Sequence, residues 1–131
     1  MSRAFHVAKN GRPGPVVLGL PEDMLSALGQ ADDAKAARLA EPAPSAADES
    51  TFAAMLAKAQ RPLMIVGGPG WSAKIQKQVE AFADRFDMPV AAAFRFQDYI
   101  DNRHRCYAGH AGIGLDAKLA AAIGASDLLI V

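Results

Sequence analysis

"RPLMIVGGPGWSAK", residues 61–74, sets a short apolar run against a glycine pair and then a helix-like stretch. An apolar run of this length, bounded by turn residues, reads as a buried strand. Gly68-Pro69-Gly70-Trp71-Ser72-Ala73 fits the pattern G-x-G-x-x-(G/A). With a strand before it and a helix after it, such a turn lets the backbone and helix N–H groups face a phosphate. Two readings are open, a phosphate cradle and a plain strand-to-helix turn. A dinucleotide fingerprint also calls for an acid ending the second strand, to hold a ribose. That strand ends Ala92-Ala93-Phe94-Arg95, and Asp87, at about the right count, precedes it. Arg95 is the residue type that meets a 2′-phosphate.

Downstream, the pattern stays regular. Ser72 to about Phe86 is expected as a helix with Ile75, Val79, Phe82 and Phe86 on one face. "MPVAAAF", 88–94, is a second strand, and residues 95–113 are a long connection. A helix from Asp116 to about Ile123, ended by Gly124, leads into a third strand, "DLLIV". Strands alternating with single helices indicate parallel βαβ units. Right-handed crossovers then predict strands near 63–67, 89–93 and 127–131 in spatial order 3-2-1. The carboxyl ends of such a sheet gather Gly67, Gly68, Gly70, Phe94, Arg95, Gly109, His110 and Gly112 on one edge. These eight are the candidate cofactor-binding residues. Parallel sheets need helices on both faces, and the third strand runs to Val131 with nothing after it. The expected fold is therefore α/β, a partial Rossmann-like parallel sheet with flanking helices, incomplete at its C-terminus. One edge of the first strand is expected to be bare, and a bare apolar edge invites self-association.

Upstream, Asp48 or Ser50 is placed to cap a helix carrying Phe52, Met55, Leu56 and Ala59 on one face. Residues 29–47 are rich in Ala, Pro and charge and read as a linker, with a helical turn around 34–40. Before it, "GPVVLGLP", 14–21, reads as a buried strand. Pro21-Glu22-Asp23 suits the first turn of a helix through about Leu28, and residues 3–10 suit a short helix. The expected organisation is 1–28, the end of one domain; 29–47, a linker; and 48–131, the first half of another.

The 131 residues are 51% hydrophobic, and 14 basic residues balance 14 acidic ones. That balance gives no electrostatic reason to expect nucleic acid or an anionic membrane as partner. Cys106 is the single cysteine, so no intrachain disulfide forms, and a reducing cytoplasm is the expected compartment. His104, Cys106 and His110 lie close in sequence, but a zinc site needs three or four ligands at recognisable spacing. "HRCYAGH" offers no second cysteine and no adjacent carboxylate, so no metal ligand is assigned. No activating partner for Cys106 as a nucleophile can be read from the sequence. Phe94, Phe96 and Tyr99 either pack or line a cofactor crevice.

Three stretches together resemble thiamine-diphosphate enzymes of the acetolactate synthase type. "AFHVAKNGRPGPVVLGLPEDM", 4–24, resembles the end of their pyrimidine-binding domain. "RPLMIVGGPGW" with "FADRFDMPVAAAF" resembles the start of their central domain, and "YAGHAGIGLDAKLAAAIGASDLLIV" the next βαβ unit. The resemblance implies a homo-oligomeric enzyme acting on a small-molecule 2-oxo acid by carboligation or decarboxylation. Thiamine diphosphate and magnesium are its implied cofactors. In that family the catalytic glutamate lies upstream of the segment at Arg3 and the Gly-Asp-Gly…Asn motif downstream of "DLLIV". This chain alone is therefore expected to be inactive. In flavin-bearing relatives the central domain holds FAD, and others hold ADP. The glycine turn maps to Gly67, Gly68 and Pro69, and the segment after the second strand to Phe94 and Arg95. The family's Gly-Met-His-Gly stretch maps to Gly109, His110, Ala111 and Gly112, with the histidine displaced by one residue and no methionine. A non-catalytic nucleotide-binding module and a piece of a nicotinamide oxidoreductase are the alternatives.

Overall fold

The computed structural model describes residues 1–40 and 42–131, which fall into two compact units, Met1–Pro44 and Ser45–Val131. Glu41, inside the expected linker, lies outside the described residues. No helix among the described residues is long and apolar enough to cross a membrane.

The first unit holds helices α1 (Ser2–Lys9) and α2 (Glu22–Ser26). Residues 14–21 are not a strand, contrary to the sequence expectation. Val17 is 93% exposed, and the described residues of the first unit contain no strand to offer this stretch a hydrogen-bonding edge. The helical turn expected around 34–40 is also absent from the described residues. There the chain runs beside α1, and Ser2 Oγ donates to the Lys35 carbonyl at 3.1 Å. Asn10 Oδ1 accepts from the Ala40 N–H at 3.1 Å.

The second unit opens with α3 (Ala46–Lys58), capped by Ser45 and not by Asp48 or Ser50. Asp48 stands at the third helical position, where its carboxylate accepts from the Ser45 N–H while Ser45 Oγ accepts from the Asp48 N–H. This reciprocal pair satisfies two donors that the helix itself cannot. Next come β1 (Pro62–Val66), α4 (Ala73–Phe86) and β2 (Val90–Ala93). A 3₁₀ turn (Gln97–Tyr99), β3 (Tyr107–Ala111), α5 (Ala117–Ala125) and β4 (Leu128–Ile130) complete the order. Gly124 lies inside α5 and does not end it; the helix stops at Ser126, whose Oγ donates to the Ile123 carbonyl at 2.7 Å.

The four strands form one parallel sheet in the order β3-β2-β1-β4. The expected order 3-2-1 is thus corrected twice. Residues 107–111, read as connection, are a strand beside β2, and the last strand joins β1, not β2. The helices explain the second point. Val79 and Ala83 of α4 pack on one sheet face with Val66, Val90 and Ala92. Leu119 and Ile123 of α5 pack on the other, with Leu63, Ile65 and Ala91. Right-handed crossovers on opposite faces carry the chain in opposite directions across a sheet. The expected bare edge on β1 is therefore filled: Pro62, Leu63 and Met64 pair with Leu128, Leu129 and Ile130.

The alternation along β1 and β2 sends neighbouring residues to opposite faces, both covered, so these strands read as continuous apolar runs. On α4 the fully buried residue is Ala83, at 0% exposure, while Phe86 is 41% exposed with the Arg85 guanidinium 5.7 Å from its ring. A methyl group lets the helix backbone approach the sheet, and Phe86, at the end of the helix, rotates outward.

Candidate functional site

The glycine turn begins where β1 leaves the sheet. Gly68 (φ +77°) and Gly70 (φ +92°) hold left-handed backbone that other residues adopt only under strain. An added Cβ at either would meet nothing within 4 Å, so their outer face is open. Gly67 differs: a Cβ there would stand 3.0 Å from Ala93 Cβ and 3.3 Å from the Phe96 ring. Its missing side chain makes room for Ala93 at the end of β2 and for the aromatic ring beyond it. Ser72 caps α4 by accepting the Ile75 N–H at 3.3 Å, which uses one of the helix's free donors.

Sequence reasoning missed the part played by Trp71. Its indole Nε1 donates to the Gly67 carbonyl at 2.8 Å, and Tyr99 Oη donates to the Gly68 carbonyl at 3.0 Å. The two rings stack at 4.4 Å with 28° between planes, and Phe96 leans on Tyr99 at 4.9 Å. Phe94, Phe96 and Tyr99 were expected either to pack or to line a crevice; Phe96 and Tyr99 pack on each other, and Tyr99 with Trp71 also lines an open cleft. Trp71 sits four residues past a strand-ending glycine, the spacing that lets its indole turn back on that carbonyl. A cleft of about 230 Å³ remains beside this cluster, walled by Ser72, Ala73, Gln76 and Asp98. A larger hollow of about 420 Å³ lies in the first unit, between α1 and residues 34–39, and contains none of the expected site residues.

The other candidates lie along the same carboxyl side of the sheet. Phe94 and Arg95 come directly after β2 and are exposed. Gly109 and His110 lie within β3, paired with Ala91 and Ala92, and Gly112 comes just after the strand. Gly109 (φ +115°) faces α5, where a Cβ would touch Leu119 Cδ2 at 3.5 Å. His110 Nε2 lies 3.3 Å from the Ile113 carbonyl, a contact within its own loop. The Phe94 ring covers Gly112, where a Cβ would fall 2.6 Å from its Cδ2. The structure thus joins Gly67 to Ala93 and Phe96, and Phe94 to Gly112. It does not join the glycine turn to the Gly109–Gly112 segment, because β2 intervenes and holds β1 and β3 about 10 Å apart.

A second cluster appears where α4 ends. Asp84, His104 and Cys106 bring their ligand atoms within 4.8 Å of one another, so the carboxylate that the local sequence lacked comes from α4. The donors are already engaged with each other. His104 Nδ1 accepts the Cys106 N–H at 3.3 Å, which leaves the ring proton on Nε2, 3.3 Å from Asp84 Oδ2. The other Asp84 oxygen takes Arg105 Nε at 2.7 Å, and Arg105 also pairs with Asp87. Asp87 itself closes α4 in left-handed backbone at φ +48°. Burial pushes the Cys106 thiol up from its ordinary pKa. This is a clasp fixing the start of β3 to the end of α4. A thiol and an imidazole are also the wrong donors for magnesium, which takes oxygen ligands. These residues therefore do not fit a magnesium–diphosphate anchor.

Strand order, opposed helices and a glycine turn after the central strand define a Rossmann-like α/β domain with its topological switch between β1 and β4. The family model for the thiamine pyrophosphate enzyme central domain matches residues 50–131, and the chain belongs to that family. It is similar to acetolactate synthase from Mycobacterium bovis, 29% identical over 136 residues, covering 99% of this chain and 22% of that protein. It is also similar to the acetolactate synthase isozyme 2 large subunit of Escherichia coli K12, 30% identical, covering 99% of this chain and 24% of that protein. Glyoxylate carboligase of Escherichia coli O157:H7 is 30% identical, with 86% of this chain and 19% of that protein covered. The chain spans roughly a fifth to a quarter of the length of these relatives.

Proposed function

We propose that this chain serves a thiamine-diphosphate- and magnesium-dependent enzyme that acts on 2-oxo acids by carboligation or decarboxylation. Within it, residues 48–131 form the first half of the central domain, residues 1–28 end the pyrimidine-binding domain, and residues 29–47 link them. What supports this reading is similarity to acetolactate synthase running through 99% of the chain. The cofactor supplies the carbanion chemistry, and a protein binds and orients it. This chain's own contribution is positional: a sheet covered on both faces, with β1 central, holds the carboxyl-end loops in fixed register. Of the eight candidate residues, Gly68 and Gly70 keep backbone open to a ligand, while Gly67, Gly109 and Gly112 serve packing. The partners we assign are the 2-oxo acid and further copies of the same polypeptide, in the cytoplasm, without nucleic acid or membrane.

The test compares this chain with the longer polypeptide that carries it, each given thiamine diphosphate, magnesium and either pyruvate or glyoxylate. Turnover is expected from the longer form alone. Equal turnover by both would place the active site within these residues and overturn the assignment. No turnover by either on both substrates would remove the 2-oxo acid reading.

A further inference from the structure

We infer that the adenosine side of the nucleotide crevice is filled from within, by Trp71, Tyr99, Phe96 and Phe94, so that this domain takes neither FAD nor ADP. In a doubly wound fold the ligand lies across the carboxyl ends of the strands, with its backbone contacts at the turn after β1. Here those ends are bridged by side chains of the chain itself. Between β1 and β2, Phe96 lies against Gly67, so closely that a Cβ on the glycine would come within 3.3 Å of the ring. Tyr99 stacks on Trp71, and each donates a hydrogen bond to a carbonyl of the turn. Between β2 and β3, Phe94 occupies the space over Gly112, leaving a hypothetical Cβ there 2.6–3.0 Å from three of its carbons.

The two glycines that a sequence reading assigns to close ligand approach are thus explained by the approach of the protein's own rings. An adenine ring seeking a stacking partner meets one already stacked at 4.4 Å. It gains that surface only by unstacking Tyr99 and breaking its bond to Gly68. The cleft beside these rings, lined in part by Trp71 and Tyr99 themselves, is about 230 Å³, below the roughly 300–1,000 Å³ of pockets that hold small organic ligands. Asp98 on its wall adds a negative charge, which disfavours a phosphate there.

Trp71 is the only tryptophan, so its emission reports on the crevice directly. The longer polypeptide that carries this chain is titrated with FAD and, separately, with ADP, up to millimolar concentrations, followed by calorimetry, and Trp71 fluorescence is followed in this chain. For FAD, energy transfer from Trp71 to the isoalloxazine is read as well. No saturable heat and no saturable change in emission are expected. Micromolar binding of either ligand with a change at Trp71 overturns the inference. The Phe94→Ala/Tyr99→Ala variant, checked for folding by circular dichroism, is expected to show saturable ADP binding below millimolar concentration where the parent shows none. Should it fail to fold, Phe94→Ala alone is used, since that ring is 46% exposed and supports little of the core. A folded variant with no gain in ADP affinity shows that the rings are not what excludes the nucleotide, and overturns the inference. Binding, not turnover, is read throughout, so failure here is distinct from failure of the proposed 2-oxo acid chemistry.

Discussion

Replacing Gly112 with alanine measures how firmly Phe94 rests on the backbone beneath it. The new Cβ would lie 2.6 Å from Phe94 Cδ2, 2.8 Å from its Cβ and 3.0 Å from its Cγ. All three are well inside van der Waals contact, so the ring must move and the backbone at residue 94 or 112 must shift with it. Gly112 is not among the glycines with positive φ, so the cost is steric and not conformational. Overpacking of this kind costs about 1–3 kcal/mol. The ring can swing toward solvent, being 46% exposed, but the Phe94 Cβ is fixed to the backbone, which places the expected value near the upper end, about 2–3 kcal/mol. In a domain of this size, each kcal/mol lowers the melting temperature by roughly 4–8 °C. The assay is a double-mutant cycle with Phe94→Ala, read by thermal and urea denaturation. In the Phe94→Ala background the Gly112→Ala penalty should fall without vanishing, because the ring carbons are gone while the residue-94 Cβ stays 2.8 Å from the new methyl. Gly109→Ala is the contrasting control. Its Cβ meets only ordinary contact with Leu119 at 3.5 Å, but φ is +115°. Its cost, about 1–3 kcal/mol, is backbone strain and should survive Phe94→Ala unchanged. A Gly112→Ala penalty that persists in full without the Phe94 ring would refute the reasoning.

Leu119→Ala should cost about 2–5 kcal/mol, because Leu119 is 3% exposed and anchors α5 to its sheet face; chemical denaturation checks this. Asp127 is held below the usual carboxylate range by the N–H groups of Gln60 and Arg61, each 2.8 Å from its oxygens. A depressed carboxylate stabilises above its unfolded pKa and loses that contribution as pH falls through the folded value. The melting-temperature gap between the parent and Asp127→Asn should therefore be widest at neutral pH. It should close below the ordinary aspartate range of about 3.9. A gap independent of pH would remove the charge from the explanation. Cys106 is 6% exposed with its thiol pKa raised by burial, so native protein should resist alkylation and urea-unfolded protein should react fully, as followed by mass spectrometry.

The alternation of β1, α4 and β2 was legible because each carries its own period, and the glycines after Val66 end β1 unambiguously. β3 was not. "YAGHA" holds two alanines, a glycine and a histidine, and none of its residues is fully buried, so nothing apolar marks it as a strand. The strand order was not legible either, because nothing local to "AKLAAAIGA" says which sheet face it covers. "GPVVLGLP" shows the converse. Its apolar run looks like a strand, but a strand exists only with a partner edge. At the candidate site, the left-handed glycines could be read from the turn pattern. Which glycines face a ligand and which face a phenylalanine depends on contacts across β2. Asp84 shows the same limit, since it lies far before His104 in the chain and joins it only through the fold.

The pairing of β1 with β4 also orders events during synthesis. The bonds from Gln60 and Arg61 to Asp127 span 67 and 66 residues, so the second edge of β1 is closed by a segment that leaves the ribosome well after β2 and β3. Ala111 ends β3 and Ile130 ends β4. At roughly 5–20 residues per second, the stretch between them takes about one to four seconds to emerge. During that interval β1 pairs with β2 on one side and offers Pro62–Val66 unprotected on the other. A nascent chain stalled there is the species in which a chaperone, or another nascent copy, finds its opening.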